Sequence, residues 1–335
     1  MTGTIGFLLL LSLSQPGADI CRQATDAAAG KDPAGAEALL KQCLKTTDAP
    51  LSSFIQLCSI YQSQKREEEL FQTAVEGLKR FPGEKRFYLT IGLHHARKRE
   101  YPPAIKIFSD GLRRWPGDPK LGEYLSSAYV ELGLSRLDAG NNVAAVDMLR
   151  KAVQLEPSDA EAHLNLGRAL HNLRRSPEAV SEFDKVIQLK PDLPLAHFHR
   201  GMVLCSLGEY KRAIEDLDRE IQINPQYPPS YHFRGDARMG LNDFQGALPD
   251  LETAAARMSD SFKVYFSLGR CLSSLGRVAE AEAAYRKAME LNASDVRTVM
   301  ALARLLQSAG RSEEAAPLFK KAAEMMNEQR PLKNQ

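Results

Sequence analysis

The stretch Ala160–Leu193, AEAHLNLGRALHNLRRSPEAVSEFDKVIQLKPDL, decides the fold of this chain. Its apolar residues recur at i, i+3, i+4 and i+7 in two successive segments, which is the pattern of two amphipathic helices. Between these segments, Ser176-Pro177 has the residue types of a helix N-cap followed by a proline in the first turn. The stretch therefore predicts two helices joined by a short turn, and no strand pattern competes with it.

The landmarks of this stretch recur at a constant interval of 34 residues. A glycine series, an alanine series and a proline series run in register, and three coincident series indicate internal repeats. The glycine series is Gly133, Gly167, Gly201, Gly235 and Gly269, with Ala303 next in line. The other two series are Ala145, Ala179, Ala213, Ala247, Ala281 and Ala315, and Pro157, Pro191 and Pro225.

The repeated unit closely resembles the tetratricopeptide repeat, which asks for a bulky residue at position 4, Leu-Gly at 7 and 8, and small or aromatic landmarks further on. The landmarks here are His163, Leu166, Gly167, Leu170, Ala179, Phe183, Val186 and Pro191. His163 at position 4 and Val186 at position 27 are the departures. The resemblance implies an all-α fold, a right-handed superhelical solenoid of tetratricopeptide helix-turn-helix repeats.

The 34-residue frame also divides the chain. Residues 126–329 form six contiguous repeats, and residues 19–118 form N-terminal repeats of which the first two are degenerate. Residues 119–125 are an insertion that we expect to lengthen the first helix of the following repeat by about two turns. Residues 330–335 are a tail.

The first 18 residues stand apart because residues 5–13, IGFLLLLSL, form a short apolar block. The block has the length of a signal-peptide core and is shorter than the roughly 20 residues that span a bilayer. No Lys or Arg precedes it, which is atypical of a signal. We expect a signal peptide cleaved near Ala18 and a periplasmic or extracellular protein. The alternative is an apolar first helix of a cytoplasmic protein.

Composition and motifs argue against several classes of function. The chain has 44 Lys and Arg against 42 Asp and Glu, with no long run of one sign, so nothing indicates nucleic-acid binding. No phosphate-binding loop, nucleophile elbow or paired zinc-ligand spacing is present. His163 and His197 occupy the bulky position of their repeats, where packing is the simpler role. We therefore predict that the chain is not an enzyme and uses neither a cofactor nor a metal.

Three of the five cysteines, Cys21, Cys43 and Cys58, fall in the weakest repeats. A disulfide there is plausible in an exported chain. An antiparallel helix pair would bring Cys21 near Cys43, and the rival pairing joins Cys43 to Cys58. Cys205 and Cys271 lie two repeats apart and are expected to stay free.

In this family the first helix of each repeat lines the concave groove, and the resemblance implies that positions 2, 5, 9 and 12 face it. Seven of the eight residues at position 5 are apolar, and position 9 becomes basic toward the C-terminus. An apolar stripe bordered by charges is typical of a polypeptide-binding surface. The alternative is that position 5 packs against the neighbouring first helix. The candidate groove residues are Leu164, Arg168, Phe198, Met202, His232, Met239, Phe266, Arg270, Met300 and Arg304.

These observations predict a scaffold or adaptor that binds a protein or peptide, in bacterial envelope assembly or secretion. A cytoplasmic regulatory or oligomerising subunit is the alternative. Self-association through the C-terminal repeat is a further expectation, because Met325 and Met326 lie in a last repeat that lacks a clear capping helix.

Overall fold

The computed structural model describes residues 16–29 and 33–328. Within these ranges the chain forms 18 helices and no strand, which confirms the predicted all-α fold of helix-turn-helix repeats. The predicted apolar block and the 330–335 tail lie outside the described residues. The helices are α1 Pro16–Ala29, α2 Pro33–Cys43, α3 Leu51–Ser63, α4 Glu67–Arg80, α5 Lys85–Arg97, α6 Tyr101–Arg114, α7 Pro119–Asp138, α8 Asn142–Leu155, α9 Ala160–Asn172, α10 Ser176–Leu189, α11 Ala196–Ser206, α12 Tyr210–Ile223, α13 Pro228–Gly240, α14 Phe244–Arg257, α15 Phe262–Ser274, α16 Val278–Leu291, α17 Val296–Ser308 and α18 Ser312–Glu328.

The chain divides into two compact units. Unit 1 comprises Met1–Ala139 with Asp147–Pro157, and unit 2 comprises Gly140–Val146 with Ser158–Gln335. In unit 1 the hairpins α1–α2, α3–α4 and α5–α6 stack in chain order, followed by α7. Helix α7 has 20 residues where α5 has 13, so residues 119–125 form its first turns. In unit 2 the hairpins α9–α10, α11–α12, α13–α14, α15–α16 and α17–α18 stack in the same way.

In six successive repeats, from Gly92 to Gly269, a glycine in the first helix lies against a side chain of the second helix. A Cβ atom on Gly167 would lie 2.6 Å from the ring of Phe183 in the second helix, and one on Gly269 would lie 2.6 Å from the ring of Tyr285. Because real Cβ contacts are not this short, any larger residue would overpack the hairpin. The constant glycine of the sequence repeat therefore sets how closely two helices of one repeat approach.

The turn between the two helices of a repeat has one conformation throughout. Its residue adopts a positive φ in every repeat from residue 51 onward, through Gly140, Gly208, Gly276 and Gly310 but also Lys65, Arg99, Arg174 and Asn242. Helix α10 begins at Ser176 itself, so its N-cap is Arg175 rather than the expected serine. The positive φ is therefore a property of this turn in the repeat and does not require glycine.

Glu220 replaces the usual small residue at the end of a second helix and is fully buried. Its carboxylate accepts hydrogen bonds at 3.0 Å from the backbone N–H of Leu195, the N-cap of α11. The capping residues of α9 and α17, Asp159 and Asp295, supply such an oxygen themselves, whereas Leu195 cannot. In this repeat the cap comes from the neighbouring helix.

Candidate functional site

The first helices of unit 2 lie side by side, because α11 contacts α13, α13 contacts α15 and α15 contacts α17. The helices α15 and α17 form an open pocket of about 900 Å³. Four of the predicted groove residues line it together: Phe266, Arg270, Met300 and Arg304. The other lining residues are Ser273, Tyr285, Val296, Arg297, Ala301, Leu305, Ser308 and Met326.

Three arginines give this pocket a positive charge. The guanidinium groups of Arg270 and Arg297 lie 5.9 Å and 5.5 Å from the centroid of the Phe266 ring. Arg297 is also paired with Asp295 at 2.9 Å, whereas Arg270 and Arg304 form no ion pair with any described residue. No carboxylate lines the pocket. Two guanidinium groups are therefore available to an anionic group that enters it.

The floor of the same pocket is apolar. Tyr285 is buried beneath it, and burial raises the pKa of its phenol to about 12, so the ring is neutral. Leu305 is also buried, and Met300 is partly exposed above it. Such a pocket suits a ligand that places an apolar group on the floor and an anionic group beside the arginines.

A second pocket of about 420 Å³ adjoins the first, since Arg270 lines both. Met202 and Asp236 occupy the repeat position of Arg270 on α11 and α13, and both line this pocket. Asp236 is the only acidic residue that lines either pocket, and its Oδ2 lies 3.4 Å from Nε2 of His232. The other lining residues are His171, Cys205, Ser206, Tyr210, Phe233 and Gly240.

The titratable neighbours of Asp236 are held uncharged by burial. Burial lowers the pKa of His171 and of His232, although the carboxylate of Asp236 opposes the shift at His232. Burial, reinforced by the charge of Asp236, raises the pKa of the Cys205 thiol to about 12. The second pocket therefore presents one negative charge, from Asp236, beside the positive charge of Arg270.

Three predicted groove residues are instead part of the core. Phe198, His232 and Met239 are 4%, 7% and 6% exposed, so a ligand does not reach them. Phe198 packs edge-on against Tyr227 and Phe233, with ring centroids 5.0 Å and 5.6 Å apart. For Phe198 and His232, which occupy position 5, the structure has the alternative of packing between repeats.

Two further predicted residues lie at the start of unit 2. Leu164 is half-buried and packs against a cluster that contains Val186 and Ala196. Arg168 donates a hydrogen bond of 2.8 Å to Oδ1 of Asn165 on its own helix. Neither lines the two pockets.

Unit 2 contains a row of buried ion pairs that were not predicted from the sequence. Arg200 donates two hydrogen bonds to Asp216, at 2.8 Å and 2.6 Å, and a third to Asp184 at 2.6 Å. One repeat later, Arg234 bonds Asp250 and Asp218 in the same way. The signal was present, since each residue of the second set lies 34 positions after its counterpart.

These ion pairs are structural in character. Asp216 and Asp250 are each 5% exposed, and their arginines are 21% and 16% exposed. Burial alone would raise the pKa of Asp216, but hydrogen bonds from Arg200 and His197 outweigh it and lower the pKa. His197 completes this group through its own contact of 3.1 Å with Asp216.

One pocket of unit 1, of about 460 Å³ on helices α5 to α7, is charged, because Arg97, Arg99 and Glu131 line it. A second pocket of unit 1 has a different chemistry. It has a volume of about 350 Å³ and lies on helices α3 to α5. Arg86 is the only charged residue that lines it. The remaining lining residues are Ile55, Cys58, Ser59, Gln62, Leu70, Phe87, Leu89, Thr90 and Leu93.

The cysteines of unit 1 form one disulfide. Cys21 is bonded to Cys43, and Cys58 is a free thiol packed against the same core cluster. The hydroxyl of Ser53 lies 3.3 Å from Sγ of Cys43, and the hydroxyl must donate because a disulfide sulfur carries no proton. Burial raises the pKa of Cys58 to about 12, which makes it a poor nucleophile.

The described residues contain no group of three or more His, Cys, Asp or Glu side chains arranged to hold a metal ion. Among the helices in residues 16–29 and 33–328, none is both long and apolar enough to cross a bilayer.

Two family models, each described as tetratricopeptide repeat, match the sequence. One matches residues 130–194 and 234–296, and the other matches residues 296–320. No curated protein sequence matches the chain significantly.

Many solved structures resemble the chain in fold. PilW, a widely conserved type IV pilus biogenesis factor, is 16% identical with a TM-score of 0.55, over 59% of this chain and 91% of its own. Pseudomonas aeruginosa pilF is 21% identical with a TM-score of 0.52, over 59% of this chain and 90% of its own. At these identities the likeness shows the shared fold alone.

Proposed function

Because the chain is a tetratricopeptide-repeat protein, we propose that it is a non-catalytic adaptor that binds an acidic polypeptide segment in the groove of unit 2. The observation that carries the proposal is the pocket between α15 and α17, where Arg270 and Arg304 face an apolar floor without an acidic partner. An acidic peptide supplies carboxylates for the two guanidinium groups and an apolar side chain for the floor.

We further propose that the protein acts in an oxidising compartment outside the cytoplasm. The Cys21–Cys43 disulfide supports this, because disulfides persist in secreted and periplasmic proteins and are rare in the cytosol. The apolar block at residues 5–13 supports it independently as an export signal. Envelope assembly or secretion is the setting we propose, and mature N-terminal sequencing distinguishes it from a cytoplasmic subunit that retains Met1.

Fluorescence anisotropy with a labelled, end-capped decapeptide of glutamate and leucine tests the binding proposal. We expect the Arg270→Gln/Arg304→Gln double variant to bind about tenfold more weakly than wild type, since each exposed ion pair contributes roughly 0.5–1 kcal/mol. The affinity of wild type should fall as salt is raised.

The matched control is Arg277→Gln, because Arg277 pairs with Glu280 on α16 and lines neither pocket. This variant should bind the peptide as wild type does. Equal binding by the double variant and wild type would overturn the proposal.

A further inference from the structure

Five residues of unit 2 share one repeat position, and the last four form a row along the pockets, which we call the charge row: Met202 on α11, Asp236 on α13, Arg270 on α15 and Arg304 on α17. The first, Arg168 on α9, bonds Asn165 on its own helix and lines neither pocket. All four residues of the row line the two adjoining pockets. Along the row the side chains are apolar, negative, positive and positive. A bound peptide complementary to it presents apolar, basic, acidic and acidic side chains in that order.

The charged side chains of the row have no oppositely charged partner among the described residues. Arg270 and Arg304 have no ion pair among the described residues, and Asp236 meets only the buried, uncharged His232. Arg200 and Arg234, two positions earlier in their repeats, are by contrast fully paired with Asp216 and Asp250. The unit thus satisfies its structural arginines internally and leaves those of the row for another molecule.

The spacing of the row selects the conformation of the ligand. The axes of packed helices lie about 8–10 Å apart, and from this we infer a similar spacing between successive row residues along the groove. A polyproline II chain rises about 3.1 Å per residue with three residues per turn, so every third side chain lies on one edge, about 9.3 Å from the last. A β-strand repeats its face every second residue, at about 6.8 Å, and does not match.

We propose that unit 2 binds its peptide in a polyproline II conformation, with contacts at every third residue in the order apolar, basic, acidic, acidic. This inference rests on the proposed function, because it specifies the ligand of the same groove. It adds the conformation of the peptide and the order of its side chains, whereas the proposed function holds for an acidic peptide of any conformation.

Two end-capped decapeptides of one composition test the spacing. The first carries leucine, lysine, glutamate and glutamate at its first, fourth, seventh and tenth positions, with proline and serine elsewhere. The second carries the same four residues at alternate positions. We expect the first to bind about tenfold more tightly, measured by fluorescence anisotropy on the full chain. Equal binding, or tighter binding of the second, would overturn the proposal.

A charge exchange tests the register. Arg270→Glu should weaken binding of the first peptide about fivefold and should prefer a peptide whose seventh residue is lysine, which wild type binds less well. Circular dichroism establishes that the variant is folded. If Arg270→Glu does not prefer the peptide with lysine at its seventh residue, the proposed pairing of row and peptide residues is wrong.

The outcomes separate the two proposals. If both spacings bind equally and the Arg270→Gln/Arg304→Gln variant weakens both, the proposed function stands and the polyproline II register fails. If neither peptide binds wild type, both proposals fail.

Discussion

The two units use one repeat to build two different interiors and two different grooves. Unit 1 joins its first two helices with the Cys21–Cys43 disulfide. Its pocket on α3 to α5 is apolar with Arg86 as the single charge, and its pocket on α5 to α7 carries Arg97, Arg99 and Glu131. Unit 2 contains the paired Arg200 and Arg234, and its pockets carry three arginines and one aspartate. A first-helix glycine packs against the second helix in both units, as Gly92 does in unit 1 and Gly167 in unit 2. The repeat therefore fixes the packing and leaves the groove positions free to vary in chemistry.

Removing the disulfide should have the largest effect on stability, and it should fall on unit 1. Cys43→Ser opens a loop with a sequence separation of 22, for which the chain-entropy account gives about 3 kcal/mol. The only tryptophan, Trp115, belongs to unit 1 and packs against Tyr88, so its fluorescence follows this unit. Urea unfolding followed by that fluorescence should shift to lower concentration, while Cys205→Ser should leave it in place. An unchanged urea midpoint would show that the disulfide does not stabilise unit 1.

Breaking a buried ion pair should destabilise unit 2 somewhat less. Asp250→Ala leaves Arg234, which is 16% exposed, with only the exposed Asp218. It also removes the acceptor of Arg238 at 2.8 Å, so we expect a loss of roughly 2–3 kcal/mol. Asp218→Ala is the matched control on the same arginine, and because Asp218 is 43% exposed its loss should cost under about 1 kcal/mol. Circular dichroism at 222 nm measures both. Equal losses would show that burial does not set the strength of these pairs.

Acid should weaken unit 2 through His199. Burial lowers the pKa of His199 from 6.5 to about 4, so between these values the unfolded chain takes up a proton that the folded chain excludes. The contribution of the neutral histidine is complete above pH 6.5 and is lost as the pH falls toward 4; the loss between pH 7 and pH 5 is about 2 kcal/mol.

His199→Phe should reduce this pH dependence while keeping the stacked contact of 5.7 Å with Phe183. The pKa values of His94, His171 and His232 are lowered in the same direction, so part of the slope remains. Unfolding midpoints at pH 7 and pH 5 give the slope, and an identical slope in the variant would contradict the account.

The parts of the structure that depend on local spacing could be predicted from the sequence. The all-helical fold follows from residues such as Gly167 and Phe183, which lie 16 positions apart within one repeat. Arg270 and Arg304 could also be assigned to a groove, because long charged side chains remain near the surface wherever the main chain places them.

Other features depend on which repeats are neighbours. Phe198 is buried because Tyr227, at the N-cap of α13, and Phe233, on α13, cover it, and no pattern within its own helix shows this. Arg200 needs acids from two different repeats, Asp184 and Asp216, so its pairing appears only when period-related charges are compared between repeats. Burial at the groove positions is therefore a property of adjacent repeats and not of the single unit.

The most direct test of the central claim is hydrogen–deuterium exchange of the full chain with and without the end-capped glutamate and leucine decapeptide. We expect slower exchange in α15 and α17, around Phe266 and Arg304, and no change in α3 and α5 around Ile55 and Leu89. Protection in α3 and α5 with none in α15 and α17 would contradict this claim, because the peptide would then bind the apolar pocket of unit 1.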